Sequence, residues 1–385
     1  MNTQNTTLHI KLWHREFWLM AFANLLLTMA VYMLVPTLPL WMLYEEGMSA
    51  EETGVAMGIF ALGIVLPGPF CSYLVQRYRR NMVCVWAIAA LAAGIFFMGH
   101  DNGRLPTSFV YGLRLLMGAA FGLAQMVLAS TLIIDTCESN RRTEANHSAT
   151  WFGRFALALG PLAGLLVYHA AGFQTVQWAA MGCCALSAVL ILLVGFPFRV
   201  PEDHVPLFSL DRFFLRGAWP LFLNLLLVSV GLGIVFALSL SEDFYGLMML
   251  GFVLALLAQQ YVFRDAELKS EAVSGLLLAG AALLVLLFHA ESPLSAPLLG
   301  LGVGIVASRF LLFFIKLSHH CQRGTSQSTF MLGWEGGIAL GLGIGWSCFD
   351  GDCQAMLYTA MGCIVAALLV YNGFTHSWFV RNKNR

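Results

Sequence analysis

Four ionisable side chains lie deep inside long apolar stretches of this 385-residue chain: Arg114, Arg154, Arg309 and Glu335. Charged groups are costly in hydrocarbon and persist there when they pair, face water, or carry a substrate or a proton. Three guanidinium groups against one carboxylate leave positive charge over, which fits a substrate bearing a carboxylate or phosphate, or a zwitterion. Glu335 offers a second kind of chemistry. A carboxylate beside an arginine stays ionised, whereas one moved into apolar surroundings takes up a proton. Glu335 is the only acid that the sequence places deep in an apolar segment, so a proton-coupled process has few other places to put its proton. Arg309 lies seven residues before Lys316, and Glu335 falls at a similar depth in the following segment, so the two are expected to form a buried pair. That pair serves either as a switch or as a permanent salt bridge that satisfies two charges. Arg114 and Arg154 have no acid at their depth in the first half; each either bonds helix carbonyls or presents charge to a cavity.

The elements that must position these groups repeat. FANLLLTMAVYMLVPTLPL, Phe22 to Leu40, returns without a gap 200 positions later as FLNLLLVSVGLGIVFALSL, Phe222 to Leu240, with eight of 19 positions identical. Asn24 and Asn224 are matched polar sites in the two copies, suited either to bonding across to another helix or to lining a cavity. A second match, Ala158-Leu159-Gly160 with Gly164 against Ala339-Leu340-Gly341 with Gly345, has an offset of 181 and sets Arg154 opposite Glu335. Gly333, Gly337, Gly341 and Gly345 form a stripe for close helix packing, which turns Glu335 toward another neighbour or a central path.

Composition sets the solvent. The chain is 59% hydrophobic and 11% charged, against about 25% charge in a soluble domain. Twelve apolar segments are long enough to cross a bilayer: 17–43, 50–75, 82–100, 106–134, 146–170, 175–195, 218–240, 244–263, 272–289, 294–316, 327–348 and 354–376. The first is too long for a signal-peptide core, lacks a cleavage site and is expected to remain as a span. A polar, proline-containing linker, 196–217, separates halves at 1–195 and 218–385. With the N-terminus inside, 17 of the 21 Lys and Arg fall in inner segments, one (Arg104) falls outside and three lie within spans. Both termini are therefore expected in the cytoplasm of a multi-pass cell (inner) membrane protein. Cys348 and Cys353 flank an outer turn, where a disulfide or two free thiols are both open.

Three local patterns carry a family resemblance. The fourth segment reads R-x-x-x-G from Arg114 to Gly118, the fifth holds Gly160-Pro161-Leu162-Ala163-Gly164, and the loop between the second and third runs from Ser72 to Arg80. They resemble the fourth-helix motif, the GP-x-x-G motif of proton-coupled antiporters, and the G-x-x-x-D-R-x-G-R loop of the major facilitator superfamily. Ser72, Gln76 and Arg79 depart from the loop pattern. The resemblance implies an all-α membrane protein of twelve transmembrane helices in two pseudo-symmetric six-helix bundles, rocking about a midplane site. It also implies an inner latch between Arg77 and Asp135.

The expected function is secondary active transport of a small organic solute by alternating access, through proton-coupled export. Proton-linked uptake of an organic anion or sugar, and a transporter-like sensor or scaffold, are the alternatives. Asn24, Arg114, Arg154, Asn224, Arg309 and Glu335 are the candidate substrate-binding residues. The expected partners are the solute, protons and lipid, with the chain acting as a monomer. No H-E-x-x-H helix, nucleophile elbow, zinc spacing or basic stripe occurs, so enzyme, metal, cofactor and nucleic-acid roles are not expected.

Overall fold

The computed structural model describes residues 12–99, 105–138, 141–196, 205–263, 266–290 and 292–384. Lys11, Arg104, Arg199, Arg264 and Arg385, all used above to set orientation, lie outside the described residues. Among the described residues twelve long helices follow one another: α1 (Arg15–Tyr44), α2 (Ala50–Val65 continued by Gly68–Arg77), α3 (Arg80–Phe97), α4 (Thr107–Asp135), α5 (142–171), α6 (173–192), α7 (Arg216–Phe236), α8 (Glu242–Tyr261), α9 (Leu268–Phe288), α10 (Ser295–Leu317), α11 (Arg323–Cys348) and α12 (Cys353–Asn382). The two parts of α2 meet at a 46° bend, where Pro67 and Pro69 interrupt helical bonding. α5 runs into α6 through Gly172 alone, at φ 76°, a conformation glycine adopts without steric cost. The first turns of α11 are rich in Ser, Thr and Gln and its remainder in Gly.

The first six and last six helices form two bundles built on matched glycine contacts. Gly160 and Gly164 of α5 lie against Tyr32 and Met33 of α1, so closely that a Cβ at either position would strike them. In the second bundle Gly337, Gly341 and Gly345 of α11 lie against Ser229, Val230, Gly233 and Ala237 of α7. Likewise Gly118 and Gly122 bring α4 onto α2, and Gly300 and Gly251 bring α10 onto α8. Between apolar helices in lipid, such close approach supplies the packing that water would otherwise drive.

The start of α1 and the end of α12 lie on one side of the bundles, here called the terminal side. On the far side the bundles touch through α2 and α11, where Gly58 faces Gly343 and Gly54 faces Ser347. His169 of α5 also meets Glu242 of α8 at 2.6 Å there. On the terminal side, His147 of α5 bonds Ser308 of α10 at 2.7 Å, and Gln327 of α11 donates to Thr150 of α5 at 3.2 Å. The segment before α7 adds a strap. Asp211 accepts from Thr325 of α11 at 3.1 Å and from Ser72 of α2 at 3.5 Å, while the ring of Phe213 fills the space beside Gly68 at the α2 break.

A side chain at Gly343 has no room while α2 and α11 touch. Gly343→Val is therefore expected to part the far side. A cysteine replacing Leu342 in a background free of other cysteines should then react faster with a membrane-impermeant thiol reagent applied to that side. Equal rates with and without the valine would contradict the closure described.

Candidate functional site

Helices α1, α4, α5 and α11 converge where the bundles meet. Each lines the space with residues four apart: Asn24 and Thr28; Gln125, Ala129 and Ile133; Asn146, Thr150 and Arg154; Gln327, Met331 and Glu335. Four residues advance a helix by about 400°, so such a row makes a nearly straight face drifting about 40° per step. Together the rows line a narrow cavity that also has Phe330 and Trp334 in its wall. A smaller crevice lies toward the far side, lined by Arg114, Tyr32 and Met57 among others. Glu335 lines both spaces and stands at the boundary between them.

The boundary is closed by a hydrogen bond from the Tyr32 hydroxyl to Glu335 Oε2 at 2.7 Å. It joins α1 of one bundle to α11 of the other. Both ends are fixed by glycine. Gly160 and Gly164 seat the Tyr32 backbone, and the α11 glycines pack on α7 so that Glu335 faces away from α7 toward α1. Arg154 lines the same site, with 2% of its surface exposed. Its guanidinium stacks over the Trp151 ring at 4.5 Å, and among the described residues none of its three nitrogens has a hydrogen-bond acceptor. Arg154 and Glu335, set opposite by the sequence repeat, thus line one cavity. Arg114 combines both roles open to it. It donates to the Ala56 carbonyl at 3.2 Å, lies over the Phe60 ring at 4.5 Å, and lines the far-side crevice.

Several expectations need correction. Arg309 pairs with Glu271 of α9, not with Glu335. The cause is packing: Gly302 of α10 lies against Gly275 and Ala279 of α9, which brings Glu271 to Arg309, while Glu335 is turned to Tyr32. Glu271 is 1% exposed but sits in the first turn of α9, so Glu335 remains the acid furthest inside a span among the described residues. Arg309 satisfies Glu271 and does not line the cavity. Asn24 both donates to the Ala149 carbonyl at 3.1 Å and lines the cavity. Asn224 instead donates to the Ala367 carbonyl of α12 at 3.0 Å and packs inside the second bundle, away from the cavity. At the terminal side, Asp135 pairs with Arg80, where the family pattern names Arg77. Arg80 opens α3, which packs against α4 and so reaches the end of that helix. The acid missing at Gln76 has a counterpart in Asp211: Gln76 donates to Ser72 at 2.7 Å, and Ser72 donates to Asp211. Cys348 and Cys353 are exposed free thiols. Each faces its own surroundings, Cys348 the Ser347 hydroxyl at 3.4 Å and Cys353 the Gly351 carbonyl at 3.6 Å.

Sequence reading missed Tyr32, Gln125, Thr150, Trp151, Gln327 and Glu271. A signal for three of them was present. Asn24-Thr28-Tyr32, Asn146-Thr150-Arg154 and Gln327-Met331-Glu335 are spaced by four, a polar row on an otherwise apolar helix.

Comparison with known proteins agrees with this architecture. A family model described as Major Facilitator Superfamily matches residues 20–342. Among solved structures, the human organic anion transporter MFSD10 is similar, with 17% identity, a TM-score of 0.68, and coverage of 92% of this chain and 98% of its own. A bacterial homologue of the iron transporter ferroportin, in the outward-facing state, has 17% identity, a TM-score of 0.64, and coverage of 94% and 100%. The POT family transporter PepTSo has 11% identity, a TM-score of 0.70, and coverage of 96% and 99%. Identities this low carry likeness of fold. The protein belongs to the Major Facilitator Superfamily, and its paired bundles around an interfacial cavity are those of a secondary transporter of small molecules.

Proposed function

We propose that the protein moves a small organic anion together with a proton, both bound in the cavity between the bundles. The observation that carries this reading is the buried Arg154 guanidinium, without an acceptor among the described residues, in the same cavity as the Glu335 carboxyl. A substrate carboxylate supplies the acceptor that Arg154 lacks, through a charge-assisted and bidentate contact. The anion then adds negative charge close to Glu335. Like charges at close range in a poorly solvated space disfavour each other, so a bound anion favours the protonated form of Glu335 and the proton in turn favours the anion. Mutual reinforcement of this kind makes co-transport the natural direction of coupling. Exchange, with export of the solute, is the second reading; the Gly160-Pro161-Leu162-Ala163-Gly164 sequence favours it by resemblance.

The Tyr32–Glu335 bond belongs to the arrangement in which the far side is closed. Rocking of the bundles separates α1 from α11 on that side, breaks the bond, and joins the Glu335 carboxyl to the far-side crevice. Proton and anion then load or leave from one side at a time. The terminal side is assigned to the cytoplasm, with both chain ends there and a monomer as the working unit. Arg114 lends positive charge to the far-side crevice and guides the anion past it.

In proteoliposomes a pH gradient is expected to drive solute accumulation, and Glu335→Gln is expected to abolish the response to the gradient while leaving exchange of labelled for unlabelled solute intact. Retained gradient response in that variant would contradict the coupling role. Accumulation on the alkaline side indicates co-transport, and accumulation on the acidic side indicates exchange. Arg154→Ala is expected to lower apparent substrate affinity by about tenfold or more, because a charge-assisted pair contributes roughly 1.5–3 kcal/mol. Unchanged transport by that variant would remove Arg154 from the site.

A further inference from the structure

We propose that Gln327 selects substrates carrying a hydroxyl beside the carboxylate, so that the transported class is small hydroxy-carboxylates and not plain carboxylates. The inference rests on the anion reading above and adds a second point of recognition, from the other bundle.

Gln327 is 6% exposed and lines the cavity in the first turns of α11. Its Nε2 donates to Thr150 Oγ1 at 3.2 Å. Thr150 has one hydroxyl proton, and it goes to the Asn146 carbonyl at 2.7 Å. Toward Gln327, Thr150 is left only as an acceptor. The orientation of the amide follows: nitrogen toward Thr150, Oε1 elsewhere. That Oε1 is buried and has no donor among the described residues. A buried acceptor left without a donor is costly, and the cavity is the space from which one can come.

Thr150 is four residues from Arg154 on the same face of α5, so the backbone that carries the contact with Gln327 lies about 6 Å along the helix axis from the backbone that carries the guanidinium. Arg154 supplies donors only and Gln327 Oε1 accepts only. One small molecule fits both if its carboxylate meets Arg154 and its hydroxyl proton meets Gln327. An ammonium in the hydroxyl's place would stand beside the guanidinium against like charge, which favours the hydroxyl. Phe330 and Trp334, stacked at 6.1 Å and 11°, give the wall an aromatic part. A substrate of this class ties α5 to α11, one bundle to the other, through its own two polar groups. A site that hydrogen-bonds a substrate hydroxyl rejects the analogue lacking it, because its own polar group is then left unpaired.

The test is equilibrium binding to the purified full-length protein, using pairs that differ by one hydroxyl: mandelate against phenylacetate, and lactate against propionate. The expected result is that the hydroxy acid of at least one pair binds about tenfold or more tightly than its partner. Gln327→Leu, with Gln327→Met as a second variant should the first fail to fold, is expected to weaken the hydroxy acid alone and bring the pair within about twofold. Arg154→Gln is expected to weaken both members. Equal binding of both members by the native protein, or equal weakening of both by the Gln327 variants, would overturn the role of Gln327 and leave the anion reading in place. Failure of all four acids to bind the native protein would remove the anion reading and this inference with it.

Discussion

A phenol and a carboxyl meet at 2.7 Å where the two bundles face each other, and the rest of the site is arranged about that bond. Tyr32 is 2% exposed, and its position follows from the close seat that Gly160 and Gly164 give α1. Glu335 is aimed by glycines on the opposite flank of α11. Neither partner could be aimed so without a stretch of backbone that lacks side chains. The glycine pattern is thus more than packing: it decides which face of each helix is left to look into the middle.

Hydrocarbon enforces the pairing of the remaining deep charges. Arg309 is answered by Glu271, and Arg114 by a helix carbonyl and an aromatic ring. Arg154 departs from that pattern, with an aromatic ring beneath it and no acceptor bonded to it among the described residues. The contrast separates structural from functional charge more sharply than burial does, since all of these groups are buried or nearly so. A charge that the protein satisfies is part of the scaffold; one that it holds in place and leaves unsatisfied is available to a ligand.

Much of the scaffold could be read from the chain itself, and for stated reasons. Rarity exposed Arg154 and Glu335, because a charge among apolar residues stands out whatever the fold. The offset of 181 tied them together, and the glycine stripe indicated which way Glu335 turns. The partner of Arg309 was not legible. Glu271 sits at the margin of its apolar segment and looks solvated in sequence, and chain order does not say whether α10 turns a given residue to α9 or α11. The repeat also misled at Asn224: its twin Asn24 bonds α5 beside the cavity, whereas Asn224 bonds α12 behind it. Gln327 was hidden by a boundary, since the eleventh segment was read as starting there and α11 begins a full turn earlier at Arg323. Tyr32 was hidden by its own amphipathic character, which allows an apolar helix to contain it without remark.

The central claim is that one carboxyl between the bundles binds the coupled proton and that a bound anion favours that proton. The most direct measurement is the proton balance of ligand binding, read with an indicator dye in weakly buffered detergent solution as mandelate is added to the purified protein. The account predicts net proton uptake by the native protein and none by the Glu335→Gln variant. Proton release on binding, or the same uptake in both proteins, would contradict it.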